Sequence, residues 1–367
     1  MIKVQFDHQT FSMHRFGGIS RYFAAIQKEL ANSPEFTLDR GILYTQNYYL
    51  KNEKFPLPKW IGDLFLQKER RRSRWNKRYS KLCIKKNDFD VFHPTYYHPY
   101  FLRKLNGPPF ILTVHDMIHE LFPEYFPHYD DTAHLKRISI EKADHLIAVS
   151  QSTSNDLQRL FKIPEEKITV IHHGFFESER DETFNPPYKN YILFVGERGG
   201  YKNFYRFLEA IASILIEKGI NLICAGSKPF CKAEEETMLR LGIRDRVTWI
   251  APNDGGLNQL YHKALLFVYP SLYEGFGLPI LEAFSNGCPI AISNTSCFGE
   301  VGGNAAEYFD PYNVLSINQA INHVLSSSAI ADELRKAGAL QLKKFPLRLC
   351  MDKHLDVYRM LAAKRKY

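Results

Sequence analysis

Two glutamates, Glu274 and Glu282, stand at either end of the run E-G-F-G-L-P-I-L-E, directly after the apolar segment Ala264–Val268. Gly275 and Gly277 let a backbone come close to a ligand. Pro279 suits the first turn of a helix, where a missing N–H leaves nothing unpaired, and a helix starting here aims its free N–H groups at an anion. Carboxylates accept hydrogen bonds from hydroxyls, so two of them around an anion site suit a phosphate flanked by hydroxyl-rich groups. A nucleotide sugar has that plan: sugar, two phosphates, ribose. The competing reading is an ordinary strand-to-helix turn with two solvated glutamates, and both stay open on this stretch alone.

Three further clusters carry chemistry. Phe16-Gly17-Gly18-Ile19-Ser20-Arg21 follows the first apolar run, and its glycine pair again permits close backbone approach. Thr113-Val114-His115-Asp116-Met117-Ile118-His119-Glu120 ends a strand-like run on a histidine. A neutral His115 beside Asp116 would donate to a substrate hydroxyl. A metal site from His115, His119 and Glu120 is the weaker alternative, since H-E-x-x-H order is missing and Pro123 follows closely. His93 ends the preceding strand pattern and competes with His115 for the functional role, the other being a satisfied structural residue. In Val195-Gly196-Glu197-Arg198-Gly199-Gly200-Tyr201-Lys202-Asn203, Arg198 and Lys202 bring two positive charges to a strand end, where they would neutralise a diphosphate.

The elements that must position these residues alternate. Strand patterns at 2–6, 38–44, 90–93, 110–115, 145–149 and 168–172 are separated by helical patterns at 18–31, 60–86, 130–143 and 152–161, the last with Ser150 as cap. Asn185-Pro186-Pro187 interrupts, and a second alternation follows with strands at 191–195, 220–225, 247–250, 265–269 and 289–292. The fold class expected is α/β: two Rossmann-like doubly wound parallel-sheet domains facing across a cleft. The expected domains are 1–173 and 191–349, with a linker at 174–190 and a C-terminal helix at about 350–367 that rejoins the first domain and ends on Lys364-Arg365-Lys366. Ligands of open parallel sheets bind at the C-terminal ends of the strands, which is where all four clusters fall.

At 367 residues, with 45% hydrophobic and 24% charged residues, the composition is that of an ordered globular chain. The N-terminus reads as a strand rather than a signal peptide, and no apolar run reaches membrane-spanning length, so a cytoplasmic protein is expected. Six scattered cysteines without a C-x-x-C pair read as reduced thiols. Within the net charge of +8, ten Lys or Arg lie between Lys68 and Lys86 against Glu69 alone. Trp60, Ile61, Leu64, Phe65, Trp75, Tyr79 and Leu82 thread this region, so 60–86 suits an anionic membrane surface, where each basic residue adds roughly 1 kcal/mol. The alternative is a solvated helix with its aromatics packed inward. Nucleic acid is not expected, because no nucleic-acid-binding motif accompanies the charge.

Taken in order, G-G-I-S-R-Y, V-H-D-M-I-H-E-L-F-P-E-Y-F, A-D-H-L-I-A-V-S-Q-S-T-S-N-D-L, K-I-T-V-I-H-H-G, F-V-G-E-R-G-G-Y-K-N-F and P-S-L-Y-E-G-F-G-L-P-I-L-E-A-F resemble the family-four retaining glycosyltransferases of the GT-B fold, over nearly the whole chain. The V-H-D segment and Y-K-N-F look most like mannosyltransferases of bacterial O-antigen and surface-polysaccharide synthesis. The resemblance implies a metal-independent hexosyltransferase with no cofactor, moving a sugar from a nucleotide-sugar donor to a lipid-linked or oligosaccharide acceptor at the inner membrane face. GDP-mannose is the expected donor, UDP- and dTDP-sugars are the rivals, and a non-catalytic nucleotide-sugar-binding protein is the reading from another class. It further implies that Glu282 binds the ribose, Glu274 lies on the sugar side, and the N–H groups of Phe276, Gly277 and Leu278 hold sugar hydroxyls and phosphate. Arg198 and Lys202 would hold the diphosphate, Gly17 and Gly18 would approach it, and His115 would touch the donor sugar or the reacting oxygen. Many relatives place Arg and Lys together before the asparagine. Here Tyr201 precedes Lys202 and Arg198 stands earlier, which leaves the phosphate grip open.

Overall fold

A computed structural model describes residues 1–226 and 228–364, so Arg365 and Lys366 of the expected basic end lie outside the described residues. The chain divides into two compact units, Met1–Glu120 with Phe126–His173 and Arg348–Tyr367, and Leu121–Tyr125 with Gly174–Leu347.

The first unit carries β1 (Ile2–Phe6), β2 (Phe36–Arg40), β3 (Val91–His93), β4 (Ile111–Val114), β5 (His145–Ala148) and β6 (Ile168–Val170). β1 pairs in parallel with β2 on one side and β3 on the other, while β4-β5-β6 form a second parallel ladder. A parallel bridge between Phe92 and Phe110 joins the two ladders. The resulting order, β2-β1-β3-β4-β5-β6, reverses direction between β1 and β3, and such a switch point opens a crevice at the strand ends. Helices α1 (Gln9–Met13), α2 (Gly18–Asn32), α3 (Lys59–Phe65), α4 (Glu69–Lys86), α5 (Ile118–Leu121), α6 (Thr132–Lys142) and α7 (Gln151–Phe161) connect the strands. In α2 the buried residues Tyr22, Phe23, Ile26 and Leu30 fall on one face, the spacing that packs a helix onto a sheet. Ser150 caps α7 by accepting from the Thr153 N–H. The C-terminal helix Leu347–Lys364 buries Met351, His354, Leu355, Tyr358 and Leu361, and Arg359 pairs with Glu35.

The second unit holds one parallel sheet of β7 (Tyr191–Val195), β8 (Asn221–Ala225), β9 (Val247–Ile250), β10 (Leu266–Tyr269), β11 (Ile290–Ser293) and β12 (Glu307–Phe309), ordered β12-β11-β10-β7-β8-β9. Read from β9 this is the doubly wound dinucleotide-fold order, with its switch point between β7 and β10. These central strands are buried on both faces, as continuous apolar runs in covered parallel sheets are. Helices α8 (Phe204–Glu217), α9 (Lys232–Arg240), α10 (Asp254–Lys263), α11 (Leu278–Ser285), α12 (Phe298–Gly302), α13 (Val314–Ser326) and α14 (Ser328–Leu342) complete the unit.

The basic region departs from the single helix expected over 60–86. It breaks at Leu66–Lys68 into α3 and α4, and Arg72 of α4 turns inward. Its guanidinium donates to the carbonyls of Ser12 and Gln67. Three of the region's apolar side chains face solvent instead: Trp60 is 71%, Trp75 48% and Leu82 62% exposed. On α4 the exposed residues Arg71, Arg74, Trp75, Arg78, Leu82 and Lys85 recur at helical spacing, forming one stripe of cations around two apolar side chains. Among the described residues no helix is long and apolar enough to cross a membrane.

Candidate functional site

The loops leaving β7 and β10 meet at the switch point of the second unit. After β7 the chain makes a helical turn, Gly200–Lys202, and Asn203 takes a left-handed conformation at φ +60. That conformation, tolerated by asparagine better than by most residues, aims its side-chain amide across the sheet end. Asn203 Nδ2 donates to the carbonyls of Pro270 (3.0 Å) and Pro311 (2.7 Å), tying the loops after β7, β10 and β12 together. The Leu272 N–H donates to the Tyr201 carbonyl at 2.8 Å and closes the join.

This junction delivers Lys202 to Glu274, with Nζ 2.6 Å from Oε1 and both side chains nearly buried. Glu274 is gripped from the loop after β11 as well, since its N–H donates to Ser296 Oγ (3.1 Å) and its carbonyl accepts from Cys297 Sγ (3.2 Å). Ser296 stands at φ +48, a strained conformation for serine that holds its hydroxyl against Glu274. Asn203, Ser296 and Cys297 were not singled out from sequence. The asparagine lay inside the Y-K-N motif and offered a signal, whereas S-N-T-S-C offered none.

Behind Glu274, Gly277 caps α11 at φ +89, a position that demands glycine, with Pro279 in the first turn as expected. The N–H groups of Gly277 and Leu278 make no hydrogen bond among the described residues. Glu282 lies one turn further into α11 and accepts from the Tyr261 hydroxyl at 3.2 Å. Lys202, Glu274, Phe276, Gly277, Leu278 and Glu282 therefore all belong to one strand-end cluster in the second unit.

Arg198, expected beside Lys202 at the diphosphate, is 6% exposed and folded back into the unit. Nε donates to Glu234 Oε1 at 2.9 Å, and NH2 donates to the carbonyls of Lys228 and Pro229. The guanidinium also stacks over Phe230 at 4.8 Å. Glu234 in turn accepts from the Cys231 N–H at the start of α9. Arg198 thus organises the segment 228–234, and among the described residues its NH1 makes no hydrogen bond.

In the first unit the two candidate histidines separate. His93 is fully buried and satisfied at both nitrogens: Nδ1 meets Tyr358 Oη at 2.7 Å and Nε2 meets Thr113 Oγ1 at 3.0 Å. Thr113 Oγ1 contacts Tyr22 Oη (3.1 Å), Tyr22 Oη contacts His354 Nε2 (2.6 Å), and His354 Nδ1 donates to the Cys350 carbonyl (2.7 Å). Because a carbonyl only accepts, it fixes every proton in this chain: His354 is protonated at Nδ1, Tyr22 donates to His354, Thr113 to Tyr22, His93 Nε2 to Thr113, and Tyr358 to His93. His93 is the structural histidine.

His115 follows β4, and its Nε2 is buried with no hydrogen-bond partner. Its ring lies edge-on to Tyr22 and parallel to His173 at 6.0 Å. Burial pushes its pKa down to about 4, so the ring is neutral at physiological pH. Asp116 does not contact it by hydrogen bond. Its Oδ1 instead accepts from the Ile118 N–H, and its carbonyl accepts from buried Lys136 at 3.0 Å. Lys136 also pairs with Glu120 at 2.8 Å, pinning the loop that carries His115. His119 lies against Phe126 and beside Asp130, 3.8 Å from its Oδ2, so the His115-His119-Glu120 alternative is not assembled; among the described residues no three candidate ligands group for a metal. Gly17 caps α2 at φ +150, again a glycine conformation, with open space where a Cβ would stand, and Gly18 begins the helix.

Comparison with known proteins agrees with both halves. Residues 16–177 match the model of "Glycosyltransferase Family 4" and residues 175–341 that of "Glycosyl transferases group 1". The O-antigen chain mannosyltransferase B of Escherichia coli is 28% identical over 292 residues, covering 74% of each chain. The O-antigen chain mannosyltransferase RfbU of Salmonella typhimurium is 28% identical over 214 residues, which cover 58% of this chain and 60% of the relative. Among solved structures, the HepE protein of Anabaena, in complex with UDP and glucose, superimposes with a TM-score of 0.71 at 16% identity over 98% of this chain and 100% of that one.

Proposed function

The chain belongs to the glycosyltransferases of the GT-B fold that join a family 4 domain to a group 1 domain, and from that premise we propose that it moves mannose from GDP-mannose to a hydroxyl of a lipid-linked glycan in surface-polysaccharide synthesis. The observation that carries the reading is the Lys202–Glu274 pair set before the start of α11. A donor diphosphate replaces Glu274 as the partner of Lys202, and the released carboxylate accepts from a hydroxyl of the donor sugar. The N–H groups of Phe276, Gly277 and Leu278 meet phosphate and sugar, and Glu282, oriented by Tyr261, takes the ribose hydroxyls. Lys202 and the helix start stabilise the negative charge that builds on the leaving diphosphate, so the reading assigns that task to the protein and not to a metal ion. Removing one such donor from an enzyme typically costs about 3 kcal/mol of barrier.

Neutral His115 is assigned to a donor-sugar hydroxyl or to the reacting oxygen, which its unpartnered Nε2 suits. The anomeric configuration is retained by attack from the leaving-group side, the departing phosphate oxygen taking the acceptor's proton. The exposed stripe of α4 and the apolar side chains Trp60, Leu64 and Phe65 of α3 are assigned to an anionic bilayer, where a lipid-linked acceptor resides. A thermal-shift titration of the purified chain with nucleotide sugars tests the donor assignment. GDP-mannose is expected to raise Tm most, and Lys202→Met to abolish the shift. A larger shift with a UDP- or dTDP-sugar would replace the donor, and tight donor binding without transfer to any acceptor would favour a binding protein.

A further inference from the structure

The switch point of the first unit, between β1 and β3, carries a cavity of its own. It measures about 480 Å³ and is lined by His8 from the loop after β1, Tyr96, His98 and Tyr100 from the loop after β3, and Arg74 and Lys77 from α4. Buried Asp7 binds the two loops into one wall by accepting from the N–H groups of Gln9 and Thr95 and from the Thr95 hydroxyl. The cavity is a built feature at the place where open parallel sheets take ligands.

Its polar lining combines two cations with two imidazole rings. Ser12 Oγ accepts from Asn76 Nδ2 at 2.7 Å and lies 3.0 Å from His8 Nδ1. His8 Nε2 is buried without a partner. At His98 the Tyr100 N–H donates to Nδ1 at 3.1 Å, which puts the proton of the neutral ring on Nε2. Lys77 Nζ stands 3.2 Å from that Nε2, donor against donor. No carboxylate pairs with Lys77 or Arg74 among the described residues, and Asp131 is the acid in the cavity's lining. Tyr96 and Tyr100 add ring surface of the kind on which sugar C–H groups pack.

We infer that this cavity binds the phosphate ester of a saccharide, its phosphate between His8, Lys77 and His98 and its sugar against Tyr96 and Tyr100. On the transferase reading, on which this identification of the ligand rests, it holds the phosphate-bearing end of the acceptor. Calorimetric titration of the full chain with glucose 1-phosphate, methyl glucoside and inorganic phosphate tests it. Glucose 1-phosphate is expected to bind at least tenfold more tightly than either fragment. Lys77→Met, and His8→Phe, which keeps a ring beside Tyr100, should each weaken it about tenfold, with Lys202→Met without effect. Equal binding of methyl glucoside or of inorganic phosphate overturns the proposal. So does loss of binding in Lys202→Met with Lys77→Met unaffected, which would put the phosphate in the second unit. A polyprenyl-diphosphate-linked glucose distinguishes the sources: tighter binding than glucose 1-phosphate identifies a lipid-linked ligand, equal binding a soluble sugar phosphate, and both support the site. Donor binding in the thermal-shift titration is independent, so a chain that binds nucleotide sugars and not glucose 1-phosphate refutes this inference alone.

Discussion

Lys202 and Glu274, separated by 72 residues, form an ion pair of 2.6 Å at the junction of the loops after β7 and β10. Each side chain is nearly buried, so each charge depends on the other for what water no longer supplies. The pair is therefore both a fastening between two loops and a store of two groups that a diphosphate and a sugar hydroxyl can divide between them.

Removing one partner strands the other. Lys202→Met and Glu274→Gln should each lower stability by about 3 kcal/mol, while the double variant loses less than their sum. Both single variants should reduce transfer at least a hundredfold. Denaturant unfolding and turnover of the three variants measure this, and strictly additive stabilities would show that the pair is not coupled.

The two strand-end histidines should fail differently. His93→Phe leaves the Tyr358 hydroxyl without an acceptor and Thr113 without a donor, at a cost of about 1–3 kcal/mol for each buried group, and so should lower Tm. His115→Phe removes a nitrogen that bonds nothing in the protein and should lower turnover with little change in Tm. The reverse pattern would exchange their roles.

Acid should open the first unit before the second. Burial holds His8, His115 and His354 at about 4, and His93 and His173 well below their ordinary value, all in the first unit. Between pH 6.5 and 4 the unfolded chain takes up these protons and the folded one does not, so stability falls as pH falls. Each group held at about 4 contributes a loss of about 2 kcal/mol by pH 5. Hydrogen exchange at pH 7, 6 and 5 should show amides of β1, β3, β4 and the C-terminal helix losing protection while β7 and β10 keep theirs. Simultaneous loss in both units would contradict the assignment.

Arg71, Arg74 and Arg78 changed to Glu should weaken binding to vesicles containing phosphatidylglycerol by more than tenfold, and Trp60→Ala with Phe65→Ser should lower it in neutral vesicles too. Partitioning that ignores both changes would reject a bilayer as the partner of this stripe.

Residue type and spacing exposed much of this. β7 and β10 were legible because a doubly covered strand is a continuous apolar run, and α11 because Gly277 and Pro279 mark a helix start. β12 was missed, since Glu-Tyr-Phe is too short to show a period, and so was α1. The burial of Arg198 was not readable from its motif, because the partner that holds it, Glu234, stands 36 residues later in α9. The inward turn of Arg72 was hidden likewise: a basic run shows its charge and not which member of it points at a carbonyl.

The central claim is that the Lys202–Glu274 cluster serves sugar transfer from a nucleotide donor. Membranes supplying lipid-linked acceptor, incubated with purified protein and radiolabelled GDP-mannose, test it directly. The account predicts label in the organic-extractable glycan with the wild-type chain and at most one hundredth of it with Lys202→Met. Equal labelling by the two proteins, or no labelling from GDP-mannose or from any UDP- or dTDP-sugar, would contradict it.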